Sequence, residues 1–520
     1  MRRQWSLVLG IALGSLLAFA RPLVADVRLP AIFTDNAVFQ RDMPVPVWGW
    51  ADQGEQVVVK IGDQAKTATP DAKTGKWTVK LDPLPVGGPH TLNVTGKNTI
   101  TLKNVLVGEV WICSGQSNMQ MAVRGVQGAQ DEIAAAKYPK IRLISVPTRG
   151  SADPQDNFNG NWVECSPQTV EGFSAAGYFF GRELLKHVDV PIGLINCSYG
   201  GSSCESWVER SFMAAQPSLK PMLDRYDQEL AAYSDAAAKA KYDMQVDDWK
   251  KAAAKAKAAG KQAPKRPHGP SDPRSNNQFP ANLYNGMLHP LLPYGVRGVI
   301  WYQGETNANR AFQYRTLFPT LIQSWRDEWQ EGQFPFYFVQ LANFMATKPE
   351  PAESAWAELR EAQSLTLKMP ATGEAVIIDI GEGGNIHPKD KQDVGKRLAL
   401  WALAKTYGKD VVYSGPVYKS FAIQGDKVVL SFDSIGGGLV AKGGNQLKGF
   451  AIAGSDKKFV WADARIEGDK VLVSSTQVKS PVAVRYAWAD NPECNLYNQA
   501  DLPASPFRTD DWPGITGGKE

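Results

Sequence analysis

Between Val105 and Tyr407 the chain alternates short apolar runs with helical stretches. The runs are Val105 to Ile112, Ile141 to Val146, Ile192 to Cys197, Gly298 to Tyr302, Phe336 to Leu341 and Ala375 to Ile380. They are continuously apolar rather than alternating, which is the pattern of strands covered on both faces in a parallel sheet. Between them, Ala175 to Lys186, Leu321 to Trp329, Ala355 to Leu367 and Lys391 to Tyr407 read as helices. Strand and helix in turn predict an open α/β sheet with helices on both faces, an α/β/α three-layer core. In such a sheet, ligands bind outside the carboxyl ends of the strands.

The flanks read differently. Asp26 to Asn104 is dense in turns and short runs, among them Val45 to Trp50, Gln56 to Lys60, Lys76 to Lys80 and His90 to Val94. This predicts a small β-sandwich over residues 26–104. The α/β core is expected over 105–409 and a second β domain over 410–520, with runs such as Val428 to Phe432 and Ala483 to Tyr486. One insertion, at about 215–262, is rich in Ala, Lys, Asp and Tyr and reads as a solvated helical hairpin.

The first residues, Met1-Arg2-Arg3 followed by apolar Leu7 to Ala20 and small residues up to Ala25, have the form of a signal peptide over 1–25. The apolar stretch is too short for a membrane anchor. The expectation is an exported protein, periplasmic or extracellular, with no membrane partner after cleavage. Lys plus Arg number 57 against 53 Asp plus Glu, a net charge of +4. Over this length that is too little to imply a nucleic-acid partner. Five cysteines, an odd number, leave at least one thiol unpaired in an oxidising compartment. Cys197 and Cys204 are near enough in sequence to bridge, and Cys113 reads as a buried strand residue. The cysteines lack zinc-site spacing, so no metal is expected.

Four of the turns carry polar residues suited to chemistry. The first run ends in Ser114-Gly115-Gln116-Ser117-Asn118. A serine at a strand-to-helix turn projects from the sheet edge beside backbone N–H groups, as a nucleophile beside an oxyanion hole requires. Asn196 to Ser203 contains Gly200-Gly201, whose backbone can approach a ligand closely. Trp301 to Asn307 offers the Gln303 and Asn307 amides, and Gly383 to Lys389 contains His387. Among five histidines, His387 is favoured as the base of Ser117, because it follows an apolar run whereas His289 precedes one. The group orienting its ring stays open among Asn385, Asp379, Glu382, Asp390 and Glu305, or a backbone carbonyl.

Gly115 to Met119, Gly200 to Ser202, Trp301 to Asn307 and Ile386 to Pro388 resemble the blocks of SGNH-type hydrolases, specifically the sialate O-acetylesterase family. The resemblance extends to Leu283 to Pro290, Trp356 to Gln363 and Arg485 to Trp488, and so spans nearly the whole mature chain. It implies an SGNH-like core and a serine esterase that removes O-acetyl groups from sugars, without metal or cofactor. By resemblance Ser117 is the nucleophile and His387 the base. The backbone of Ser117, one of Gly200 or Gly201, and the Gln303 amide are the oxyanion donors. Asn118, Met119, Glu305, Asn307 and Arg360 are expected to contact substrate. Two positions depart from the pattern: Asn385 stands where an aspartate commonly precedes the histidine, and Ser202 replaces a threonine.

The expected partner is therefore an acetylated carbohydrate, either acetylated sialic acid or a plant polysaccharide such as xylan, mannan or xyloglucan. The sequence does not fix the oligomeric state. The competing reading is a non-catalytic glycan-binding protein that keeps a hydrolase shell. A secreted lipase or thioesterase would want a broader apolar groove.

Overall fold

The computed structural model describes residues 26–269 and 271–519, so the expected leader at 1–25 lies outside the described residues. The central sheet is built from β1 (Thr99–Gly115), β2 (Tyr138–Ser145), β3 (Val163–Cys165), β4 (Ile192–Ser198), β5 (Gly298–Tyr302), β6 (Phe336–Val339) and β7 (Thr372–Ala375). Their spatial order is β7-β6-β5-β1-β4-β2-β3. All neighbours are parallel except the β2–β3 pair. The chain leaves β1 toward one edge of the sheet and later returns to add β5 on its other side. The carboxyl end of β1 therefore opens at the point where the strand order reverses, the usual ligand crevice of such sheets.

Side chains of β1 alternate between two cores with the period of a strand. Trp111 and Cys113 pack with the helices Ala175–Val188 and Lys391–Lys405. Val110 and Ile112 belong to a core shared with the helices Ala311–Trp329 and Ala355–Leu365. The molecule is thus a mixed α/β protein with a sheet core and additional β regions before and after it. Helices Lys220–Ala232 and Asp235–Ala258 form the expected hairpin, mostly exposed and laced with Lys–Asp pairs at helical spacing.

The N-terminal β region and the central sheet are joined by one strand. Residues 99–107 of β1 pair antiparallel with Gly87–Thr95, and residues 109–115 pair parallel with β4. The boundary expected at 104/105 falls inside this strand. At the junction, fully buried Glu109 pairs with Arg41 and with Arg297 at 2.6 Å, and accepts from Tyr407 Oη at 3.0 Å.

Ala375 to Ile380 is not a strand. The pairing ends at Ala375, and Val376 and Ile378 turn into the core of the C-terminal β region while Ile377 stays with the central helices. That region holds two four-stranded antiparallel sheets, Val417–Gln424 with its partners and Phe450–Ala453 with its partners. All five cysteines are free, so Cys197 and Cys204 form no bridge. Cys113 is buried against Gly177, and burial raises its thiol pKa. Among the described residues no helix is long and apolar enough to cross a membrane.

Candidate active site

Gly115 ends β1 with φ +134°, and a Cβ there would collide with the Tyr302 carbonyl. Only glycine lets β1 finish against β5 in this way. Gln116 then ties the turn to the end of β5. Its N–H donates to Tyr302 O at 2.9 Å, and its Oε1 accepts from Gly304 N–H at 3.3 Å. Ser117 follows as the first residue of a single helical turn, Ser117–Gln120, where the leading N–H groups have no helical partners.

The loop after β7 brings His387 to it. His387 Nε2 lies 2.8 Å from Ser117 Oγ, though the two are 270 positions apart in the chain. Asn385 grips the backbone of His387 on both sides, accepting its N–H at 3.0 Å and donating to its carbonyl at 2.8 Å. Its amide does not reach the imidazole. Among the described residues no carboxylate bonds the ring. Asp379 is held by Arg397 at 2.6 and 2.8 Å and by Tyr497. Asp390 caps the helix Lys391–Lys405, and Glu382 accepts from Lys389 N–H and Asn385. Burial, reinforced by the charge of Lys391, lowers the pKa of His387. The ring is therefore neutral at neutral pH, the state a general base needs.

Behind the pair lies a buried polar brace. Asn118 Nδ2 donates to Ile386 O at 3.0 Å and to Glu305 Oε1 at 2.6 Å. Lys391 Nζ donates to Asn118 Oδ1 at 2.8 Å and to Pro388 O at 2.6 Å, and lies 5.3 Å from the centre of the Tyr302 ring. Burial brings Lys391 down to about 7, and burial raises Glu305. Asn118 and Glu305, expected to contact substrate, spend these polar atoms joining the nucleophile turn to the histidine loop. Lys391 escaped the sequence reading because a lysine at a helix start is ordinarily solvated.

Gly200 follows β4 and borders the nucleophile: a Cβ there would sit 3.5 Å from Ser117 Cβ. Its N–H donates to Gln120 Oε1 at 2.9 Å, so Gln120, another residue the sequence did not single out, covers that donor. Gly201, with φ +72°, accepts from Gln278 at its carbonyl.

Four expected contacts lie elsewhere. Gln303 is fully buried, donating to Asn307 Oδ1 at 2.7 Å and Ser202 O at 3.3 Å while accepting from Tyr314. Asn307 is committed to Cys204 N–H and Glu205. Both amides spend these bonds joining the loops after β4 and β5. Met119 is buried in the core and takes a contact from Ser174 Oγ at 3.4 Å. Arg360 is fully buried and donates to four carbonyls: Leu341 and Ala342 after β6, and Ala489 and Asp490 of the C-terminal region. His289 bonds the Gln155 carbonyl at 2.8 Å and plays no part here. Among the described residues no group of three or more His, Cys, Asp and Glu is placed to hold a metal ion.

A family model described as "Carbohydrate esterase, sialic acid-specific acetylesterase" matches residues 107–250 and 277–403. The chain is 30% identical to the sialate O-acetylesterase of Rattus norvegicus over 92% of this chain and 93% of that one. It is 30% identical to the Homo sapiens sialate O-acetylesterase over 98% of each. A crystal structure of a carbohydrate acetylesterase from Xanthomonas citri superposes with a TM-score of 0.78 at 40% identity, covering 94% of this chain and 100% of that one. A serine and a neutral histidine in contact at the carboxyl edge of the sheet are the groups such enzymes need, and the protein is a carboxylic ester hydrolase. The chain belongs to the sialic acid-specific acetylesterase family of carbohydrate esterases.

Proposed function

We propose that the enzyme cleaves carbohydrate O-acetyl esters through an acetyl-serine intermediate on an SGNH-type α/β/α core. The 2.8 Å contact between Ser117 Oγ and His387 Nε2 carries this reading. His387 takes the Ser117 proton as Oγ attacks the acetyl carbonyl, then returns it to the departing sugar alkoxide. Water, deprotonated by the same ring, releases acetate and restores the serine. The oxyanion is received by the backbone N–H groups of Ser117 and Gly200, the latter released by a swing of the Gln120 amide. One such donor is worth about 10²–10³ in turnover. Among the described residues no carboxylate bonds the ring, so the imidazolium charge is left to solvent.

The substrate class is an acetylated sugar: sialic acid, or a polysaccharide such as xylan, mannan or xyloglucan. The leader-like residues 1–25 support export to the periplasm or beyond. The test is acetate release from a chromogenic acetyl ester beside its butyryl analogue, using wild type, Ser117→Ala and His387→Ala. Acetyl-selective turnover lost in both variants is the expected result. A wild type inert toward these esters and toward acetylated glycans would overturn the mechanism in favour of a glycan-binding shell.

A further inference from the structure

Two loops leave the carboxyl edge of the sheet side by side, the His387 loop after β7 and residues 340–354 after β6. Asparagines bond them together. Asn343 Oδ1 accepts from Gly381 N–H at 2.7 Å, and Met345 N–H donates to Gly383 O at 3.0 Å. Asn491, from the C-terminal β region, donates to Met345 O at 2.7 Å and accepts from Asn343 at 2.8 Å. A Cβ on Gly383 would lie 2.7 Å from the Asn491 amide, so this wall touches the catalytic loop four residues before His387.

Behind that wall the loop after β6 and the C-terminal β region enclose a groove of about 530 Å³ and a smaller pocket of about 190 Å³. The two share Pro351, Gly449 and Trp461 as walls. The larger falls in the range of roughly 300–1,000 Å³ usual for small-ligand sites. Trp461 is 42% exposed, and its indole N–H is fixed to Pro349 O at 2.6 Å. An aromatic face is thus held open to solvent. Trp488 lines the smaller pocket, is only 7% exposed, and its indole N–H has no hydrogen-bond partner.

A fixed indole face beside polar groups suits a pyranose ring, which offers an apolar C–H face and a rim of hydroxyls. Charge narrows the choice further. Each lysine and arginine lining the two pockets already has a partner. Lys348 pairs with Asp490 at 3.4 Å and Lys448 with Glu493 at 3.5 Å. Arg485 pairs with Glu353 and Asp510, and Lys457 lies 5.2 Å from the centre of the Trp512 ring. Three of the four cations are thus already neutralised by carboxylates of the protein, which suits a neutral sugar better than an acidic one.

We propose that this groove is a subsite for the neutral pyranose residues of a polysaccharide whose acetylated residue lies at Ser117. The inference rests on the esterase reading and gives it a substrate class, a neutral acetylated polysaccharide. The chain would run from Ser117 across the Gly383 loop onto Trp461.

The experiment compares wild type and Trp461→Ala on acetylated glucomannan, acetylated xylan and p-nitrophenyl acetate. It also measures binding of the deacetylated oligosaccharides, and of sialyllactose, to Ser117→Ala with and without Trp461→Ala. The ratio of kcat/KM on polymer to that on p-nitrophenyl acetate is expected to fall about tenfold in Trp461→Ala. Neutral oligosaccharide binding should be lost with the same substitution. An unchanged ratio together with unchanged binding would overturn the proposal, as would tighter binding of sialyllactose than of the neutral sugars. A wild type that fails to hydrolyse p-nitrophenyl acetate would instead sink the esterase reading. Oligosaccharide binding, kept or lost in Trp461→Ala, then decides the groove alone.

Discussion

Asn118 donates to the carbonyl oxygen of Ile386 at 3.0 Å, which ties the residue after the nucleophile to the residue before the base. The two side chains come from loops 270 positions apart in sequence, yet their registry depends on neighbours set behind them. Lys391 and Glu305 hold the Asn118 amide from the remaining sides. The bond between Ser117 and His387 therefore has a frame behind it, although among the described residues no carboxylate bonds the imidazole.

Removing that frame should cost turnover and not binding. Asn118→Ala is expected to lower kcat by about 10–10², because a displacement of about 1 Å between reacting groups has effects of that size. KM for p-nitrophenyl acetate should change little. Steady-state kinetics check this, with circular dichroism to verify the fold. A fall in kcat/KM caused by KM alone would contradict the bracing role.

The pH profile has a worked sign. His387 must be neutral to act as base, and its pKa lies below its ordinary value through burial and the charge of Lys391. The acid limb of kcat/KM should therefore have its midpoint below about 6.5, the ordinary histidine value. Replacing the lysine in Lys391→Met removes one of the two causes, so the midpoint should move toward higher pH. A shift in the opposite direction would show that Lys391 acts otherwise.

Arg360 separates clamp from contact. Its guanidinium hydrogen-bonds four carbonyls drawn from the loop after β6 and from the C-terminal region. Arg360→Met should strand those carbonyls, each at about 1–3 kcal/mol. The urea midpoint should drop while KM for acetyl esters stays within about twofold of wild type, since single contacts of 1.4 kcal/mol or more would show as tenfold.

The thiols offer a test without mutagenesis. All five cysteines are free, and four of them are buried, with burial holding their pKa values up. The native enzyme should react slowly with a disulfide reagent, and activity should be indifferent to reductant. Full denaturation without reductant should expose five thiols per chain. A count of three would reveal a bridge.

The sequence was most readable where one physical requirement dominated. Unbroken apolar runs announce strands covered on both sides, and Gly298 to Tyr302 is a strand with those bounds. Ser117 stood out because a small polar turn after such a run has few other uses. The choice of His387 over His289 rested on which end of an apolar run each occupied; the structure puts His387 Nε2 2.8 Å from Ser117 Oγ and bonds His289 to the Gln155 carbonyl. Gln303 and Asn307 were harder. A polar side chain after a strand looks the same whether it faces a cleft or pins the loop beneath, and the two-turn 3-10 helix Glu305–Arg310 follows directly here. Ala375 to Ile380 misled for a related reason, since apolarity does not say which core receives the residue. Val376 and Ile378 answer to the C-terminal region, not to the sheet.

β1 is at once a strand of the N-terminal β region and the strand that delivers Ser117. The N-terminal region is therefore no cassette that recombination can drop or exchange at its edge, because every cut near residue 104 severs the stem of the catalytic turn. Descent must carry the two together. Within such a lineage, novelty has more room in the exposed helical hairpin, which lies outside that shared strand.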